Sequence, residues 1–341
     1  MTNRSSARTR RLEVDGFTWN IHDHGDGPAV VLCHGFPGLG YSFRYQFSPL
    51  AAAGYRAVAP DMPGYGRTDR PEALEDYTNV AVTDRLVRLL DALGIDRAVF
   101  VGHDFGAPVA WTMALRHPDR VTGLVLLAVP YAPDRMPARP SELFRAMADT
   151  HFLHLHYFQE PGVAEAELDP RPREFLQRLY FALSGGYRYL DVWTHPSEGR
   201  GYLDVLPVAP DLPWSWLSDD ELAYYVDEFA RTGFGGGLSW YRAYDANWET
   251  SRPYEGANVR VPTLFVAGDR DPVIAMSGRS AIERMRAAIP DLRGVHLLEG
   301  AGHFVQMERS GEVNDVLVRF VSDVSIPTRT AEQPFRRRSS T

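Results

Sequence analysis

Cysteine is almost absent from these 341 residues: Cys33 stands alone, so no internal disulfide can form, and no Cys/His pair has zinc-finger spacing. Long hydrophobic runs are missing as well. The apolar stretches, residues 123–129 among them, are strand-sized and well short of the ~18 residues a membrane span needs. Positive charge is in deficit. Against 44 Asp and Glu there are 36 Lys and Arg, a net charge of −8, which disfavours a nucleic-acid or anionic-membrane surface as the main partner. The N-terminal Met-Thr-Asn-Arg-Ser-Ser-Ala-Arg is polar and basic with no apolar segment behind it, so no secretory signal is expected. Together these absences point to the reducing cytoplasm.

What is present suits a large folded body. Hydrophobic residues make up 44% and charged ones 23%, enough to bury a sizeable core. Short apolar runs at 29–32, 57–60, 98–101 and 124–129 alternate with helical spacing, clearest at Val82, Leu86, Leu89, Leu90 and Leu93 before Gly94. Such alternation predicts βαβ units and a mostly parallel sheet covered on both faces. It stops near Pro130, where the chain becomes rich in aromatics, Pro and helical patches. It resumes with a strand at 261–267, a helix around 279–288, a strand at 295–298 and a last helix around 313–321. The expected organisation is an α/β core at 12–136 and 249–325, a helical insertion at 137–248, and flexible tails at 1–11 and 326–341.

Three loops at predicted strand ends carry chemistry. Gly102-His103-Asp104-Phe105-Gly106 has the Gly-x-nucleophile-x-Gly form of a nucleophile elbow, in which small flanking residues permit a sharp strand-to-helix turn. Its central residue is Asp, not Ser. Gly268-Asp269-Arg270-Asp271-Pro272 offers two carboxylates, either able to orient an imidazole, and Gly300-Ala301-Gly302-His303-Phe304 offers the imidazole. An aspartate is already ionised at neutral pH and needs no base to attack. Attack on an ester or amide would give a reactive anhydride. At a saturated carbon bearing a leaving group it gives an ordinary ester instead, which water activated by His303 would then cleave. Asp104 therefore points to an epoxide or an alkyl halide as substrate.

The sequence resembles the epoxide hydrolase branch of the α/β hydrolases from about Leu12 to Val321. The likeness rests on His34-Gly35-Phe36-Pro37, the Asp-centred elbow, Tyr157-Phe158-Gln159-Glu160-Pro161-Gly162-Val163-Ala164-Glu165-Ala166-Glu167-Leu168, and Gly237-Leu238-Ser239-Trp240-Tyr241-Arg242. The resemblance implies an α/β-hydrolase core with an inserted helical cap and the acid at the fourth position of Gly-x-x-Asp, Asp271. It also implies backbone N–H donors at Phe36 and Phe105 for the oxyanion, and two cap tyrosines that protonate the opened epoxide. Tyr241 matches one of them. The other position, three residues before the Tyr-Phe-Gln-Glu-Pro-Gly run, holds His154, so a His/Tyr pair is expected, with ring opening weakening as His154 loses its proton. Phe36, Phe105, Trp240 and Tyr157 are placed against the substrate.

The partners expected are a small epoxide and water, and a second copy of the chain in a homodimer. No cofactor, metal, nucleic acid or membrane span is expected. Two alternatives stay open. One is a dehalogenase, although Phe36 and Phe105 lack the side-chain N–H donors that stabilise a departing halide. The other is a non-catalytic small-molecule-binding module on the same fold.

Overall fold

The computed structural model describes residues 8–325. Residues 1–7 and the C-terminal tail at 326–341 lie outside the described residues. The sheet has eight strands: β1 (Arg8–Val14), β2 (Phe17–His24), β3 (Ala29–Cys33), β4 (Arg56–Pro60), β5 (Ala98–His103), β6 (Val121–Leu127), β7 (Thr263–Gly268) and β8 (Leu292–Leu298). Their order across the sheet is β1-β2-β4-β3-β5-β6-β7-β8. β1, β2 and β4 pair antiparallel, and every pairing from β4 through β8 is parallel.

Alternate residues of the central strands face opposite layers, as the period of two requires. Val30 and Leu32 of β3, with Val99 and Val101 of β5, pack against α1 (Arg44–Ala52) through Phe47 and Leu50. Val31 and Phe100 face the layer of α2 (Asn79–Ala92) and α3 (Gly106–Arg116), where Leu86, Leu90, Val109 and Met113 are buried. α2 begins where its sequence says it should, with the Thr78 hydroxyl accepting from the Ala81 N–H.

Strand alternation halts after β6. Eight helices follow among the described residues: α4 (Pro140–Ala148), α5 (His154–Tyr157), α6 (Val163–Leu168), α7 (Pro172–Leu183), α8 (Tyr202–Val205), α9 (Asp219–Thr232), α10 (Gly235–Arg242) and α11 (Tyr244–Thr250). The chain then returns to β7, α12 (Pro272–Ala288, kinked at Gly278), β8, α13 (Val305–Glu308) and α14 (Ser310–Ser325). The last helix completes the α1 layer through Val313 and Leu317. The core runs without a break from the α2/α3 layer into the insertion, through Phe36, Phe105, Trp240 and Tyr241.

Three elements begin earlier than the sequence reading placed them. The β1–β2 hairpin begins at Arg8, inside the stretch read as a tail, because β1 is an edge strand whose Arg-rich sequence hides its alternation. Its turn does carry a signal: Asp15 and Gly16 both have positive φ (51° and 75°), the geometry of a tight two-residue hairpin. α12 begins at Pro272, seven residues before the expected start. β8 begins at Leu292, because this edge strand is only partly buried and lacks a continuous apolar run.

Candidate active site

The three chemical loops converge at the C-terminal ends of parallel strands, where open α/β sheets form their crevices. Asp104 follows β5 and holds φ of 53°, a left-handed backbone that costs energy for a non-glycine residue. Its neighbours must be small. A Cβ at Gly102 would collide with the Gly106 carbonyl, and one at Gly106 with the Cys33 carbonyl. The turn thus lifts the carboxylate out of the strand and toward the other loops.

His303 Nδ1–H donates to the Asp271 carboxylate, 3.1 Å from Oδ1 and 3.2 Å from Oδ2. Asp271 is fully buried and also caps α12 by accepting from the Val273 N–H at 2.8 Å. Asp269 instead accepts from the Gly300 N–H at 2.7 Å, so of the two candidate carboxylates the structure brings Asp271 to the imidazole. On the other side, His303 Nε2 lies 3.5 Å from Asp104 Oδ2. Oδ1 of the same carboxylate accepts from the Phe36 N–H at 2.8 Å, and the Phe105 N–H adds a second backbone contact. One oxygen of Asp104 therefore sits on the Phe36 amide while the other faces the histidine.

The charges follow. Burial alone would lower the His303 imidazole, but the Asp271 charge and contacts with both carboxylates push it up to about 10. Burial opposes charge on Asp104, yet the His303 contact outweighs it and holds the carboxyl below its ordinary range. Both shifts favour an imidazolium held between two carboxylates. Two further histidines are neutral by burial: His103, pushed down to about 3, donates from Nε2 to the His303 carbonyl at 2.8 Å, and His34, pushed down to about 4, donates to the Gly35 carbonyl and accepts from the Met62 N–H. Both brace the loops that hold the reacting groups.

Asp104, His303, His154 and Tyr241 line one cavity of about 200 Å³, with Phe36, Phe105 and Tyr244 among its apolar walls. The Tyr241 ring stands edge-on to Phe105 (centroids 4.7 Å apart) and Phe36 (5.3 Å), the residues flanking the carboxylate. His154 lies across from it, ring centroids 5.8 Å apart at 85°. The two cap motifs are stapled together to make this pair: the Gln159 side-chain amide donates to the Tyr241 carbonyl at 3.1 Å, and Arg242 forms a two-pronged ion pair with Glu165 at 2.7 and 2.9 Å. A larger cavity of about 460 Å³ shares Val129, Tyr244 and Val273 with the first but holds none of the reacting groups.

Two expected substrate contacts are not brought to this cavity. Tyr157 donates its hydroxyl to Glu167 at 2.7 Å, and the Trp240 indole N–H donates to the Pro63 carbonyl at 2.9 Å; both rings serve packing. The charge of His154, whose loss of a proton was expected to weaken ring opening, is set by its surroundings. Burial pushes it down to about 4, so it is a neutral imidazole at physiological pH. His151 donates to the Trp193 carbonyl and is a packing residue. Sequence reasoning missed Tyr189 and Tyr202, which line the cavity behind His154; no local pattern marks them.

Residues 28–310 match the family described as the alpha/beta hydrolase fold. The chain is 42% identical over 324 residues to Epoxide hydrolase A of Mycobacterium tuberculosis, covering 94% of this chain and 99% of that protein. It is 36% identical to Epoxide hydrolase 1 of the plant Siraitia grosvenorii, covering 91% and 96%. Among solved structures it superposes on an epoxide hydrolase from an endophytic Streptomyces with a TM-score of 0.89 and 37% identity, covering 94% of this chain and 97% of that one. No helix among the described residues is long and apolar enough to cross a membrane.

Proposed function

The chain belongs to the epoxide hydrolases of the α/β-hydrolase fold, and from that premise we propose how its residues divide the work of opening an epoxide with water. The core, 8–136 and 249–325, carries nucleophile, base and acid; the cap, 137–248, carries the groups that meet the epoxide oxygen. Asp104 Oδ2 attacks an epoxide carbon. Tyr241 gives its proton to the alkoxide that leaves, while neutral His154 donates a hydrogen bond to the same oxygen. A neutral imidazole is a far weaker proton donor than a phenol, which leaves the transfer itself to Tyr241.

The ester formed at Asp104 has no charge, so His303 loses one of the two carboxylates that stabilise its proton. That proton restores Tyr241 through the cavity, and His303, now neutral and still oriented by Asp271, deprotonates a water that attacks the ester carbonyl. The oxyanion develops on Oδ1, which already accepts from the Phe36 N–H, with the neighbouring Phe105 N–H as its second donor. Collapse releases a vicinal diol and returns Asp104 as carboxylate and His303 as imidazolium, so protons balance over the cycle. The single observation that carries this reading is the division of the Asp104 carboxylate, one oxygen on the Phe36 amide and the other toward His303. The buried, lone Cys33 supports placing the enzyme in the reducing cytoplasm.

The test is intact-protein mass spectrometry of His303→Gln mixed with a panel of epoxides and matched alkyl halides. Without its base the enzyme should stall as the Asp104 ester, gaining the whole mass of the epoxide. A gain of alkyl halide minus hydrogen halide, with none from epoxides, would move the chemistry to dehalogenation. No adduct from any compound would overturn the covalent mechanism.

A further inference from the structure

Behind His154 stand two buried tyrosines. Tyr189, 3% exposed in the 3-10 turn Tyr189–Thr194, has its hydroxyl 3.2 Å from His154 Nδ1 and 2.6 Å from the Tyr202 hydroxyl. The Tyr202 ring, 2% exposed, stacks on the His154 imidazole with 4° between planes and 5.9 Å between centroids. Among the described residues the Tyr202 hydroxyl has Tyr189 as its sole hydrogen-bond partner, and His154 Nε2 has none.

Three arrangements of the protons are possible along this line, and one, in which Tyr189 accepts from both His154 Nδ1–H and Tyr202, leaves the Tyr189 proton without a protein acceptor. In a second, His154 Nδ1–H donates to Tyr189, Tyr189 donates to Tyr202, and the Tyr202 proton has no protein acceptor. The lone pair at Nε2 would then remain to meet an epoxide oxygen, itself an acceptor. In the third, Tyr202 donates to Tyr189, Tyr189 donates to Nδ1, every hydroxyl proton is used, and Nε2 carries its own proton. A buried donor without a partner is costly, so this third arrangement prevails.

We propose that Tyr189, backed by Tyr202, is a positioning residue for ring opening: its hydroxyl holds His154 in the tautomer that presents an Nε2–H to the epoxide oxygen. This rests on the reading of His154 as a hydrogen-bond donor in that step. It accounts for a histidine working where the family has a tyrosine. A phenol always has a proton to donate, whereas an imidazole has one at a given nitrogen only if something occupies the other. The low proton affinity of the buried ring agrees, because it keeps His154 neutral and makes its tautomer decisive.

The direct measurement is nitrogen NMR of the wild-type protein labelled at histidine, with His154 assigned by its loss in His154→Phe. Nε2 should be protonated and Nδ1 bare; a proton on Nδ1 would overturn the proposal, and this reading needs no variant of Tyr189 to fold. In single-turnover alkylation, Tyr189→Phe should slow ester formation about 3- to 10-fold, the worth of one hydrogen bond. In a His154→Phe background the same substitution should change nothing. A loss that persists there would mean that Tyr189 acts through packing, against the proposal. If His154→Phe slows alkylation while Tyr189→Phe does not, Tyr189 falls and the role of His154 stands. If His154→Phe itself has no effect, the reading of His154 fails, and the proposal with it.

Discussion

The backbone amide of His303 donates to the carbonyl of Leu183 at 2.8 Å, so the core loop that carries the base is bound directly to the end of cap helix α7. Glu308 completes this junction. Its carboxylate accepts from the N–H groups of Gly185 in the cap (2.8 Å) and of Gly302 and Phe304 on either side of His303 (3.0 and 3.2 Å). Glu308→Ala would leave these amides without their acceptor, and stability should fall by about 1–3 kcal/mol in urea unfolding. A misplaced His303 should also slow ester hydrolysis more than alkylation, so the ester should accumulate during turnover. Unchanged kinetics would show that the junction does not position the base.

Tyr241→Phe removes the hydroxyl proposed as proton donor while keeping the ring against Phe36 and Phe105. Single-turnover alkylation should fall about 10²- to 10⁴-fold. His154→Phe should fall less, because Tyr241 still delivers the proton. Ester hydrolysis, followed from preformed intermediate, should change little in either variant. Equal losses in both steps would place Tyr241 in the structure of the site and not in its proton transfer.

The ion-paired His303 links stability to pH with a definite sign. Its folded value, about 10, is raised above the ordinary 6.5, so its contribution is complete below 6.5 and is lost as pH rises toward 10. Between those limits wild type should lose more unfolding free energy than His303→Gln. His34, His103 and His154, pushed down to about 4, 3 and 4, act in the opposite direction. Stability should fall as pH drops from 6.5 toward 4, because the unfolded chain takes up protons that the buried rings refuse. Urea melts across pH read both slopes.

Tyr244 stands between the reacting cavity and its larger neighbour, with its ring against Phe105 and Phe144. Tyr244→Ala should join the two spaces. The ratio of kcat/KM for a bulky aryl epoxide over a small aliphatic one should then rise about tenfold, in the range that pocket shape commands. A ratio that stays level would mean that Val129 and Val273 close the passage by themselves.

Much of the core chemistry was legible because it is local. Asp104 sits in five residues whose glycines allow one sharp turn, and Asp271 and His303 sit in strand-end loops of similarly restricted sequence. The parallel sheet and the helical interruption between β6 and β7 follow from such short-range patterns, and so does the expectation of Asp104 as a nucleophile for saturated carbon. The choice between Asp269 and Asp271, two residues apart but different in direction, needed the loop's fold as well as its motif: one carboxylate accepts from the Gly300 N–H while the other meets the imidazole.

Other features depend on what long-range packing brings together. An aromatic in a motif does not announce which way its ring points, so Tyr157 and Trp240 read as pocket residues until Glu167 and the Pro63 carbonyl claim their polar atoms. The histidine at 154 is visible in the chain, but its charge and the nitrogen that holds its proton are not. They are set by burial and by Tyr189, 35 residues away, with Tyr202 behind it. Residue identity and spacing determined which groups this protein has for attacking an epoxide; tertiary structure decided their protonation and aim, because both depend on the field and hydrogen-bond partners that only the folded chain assembles.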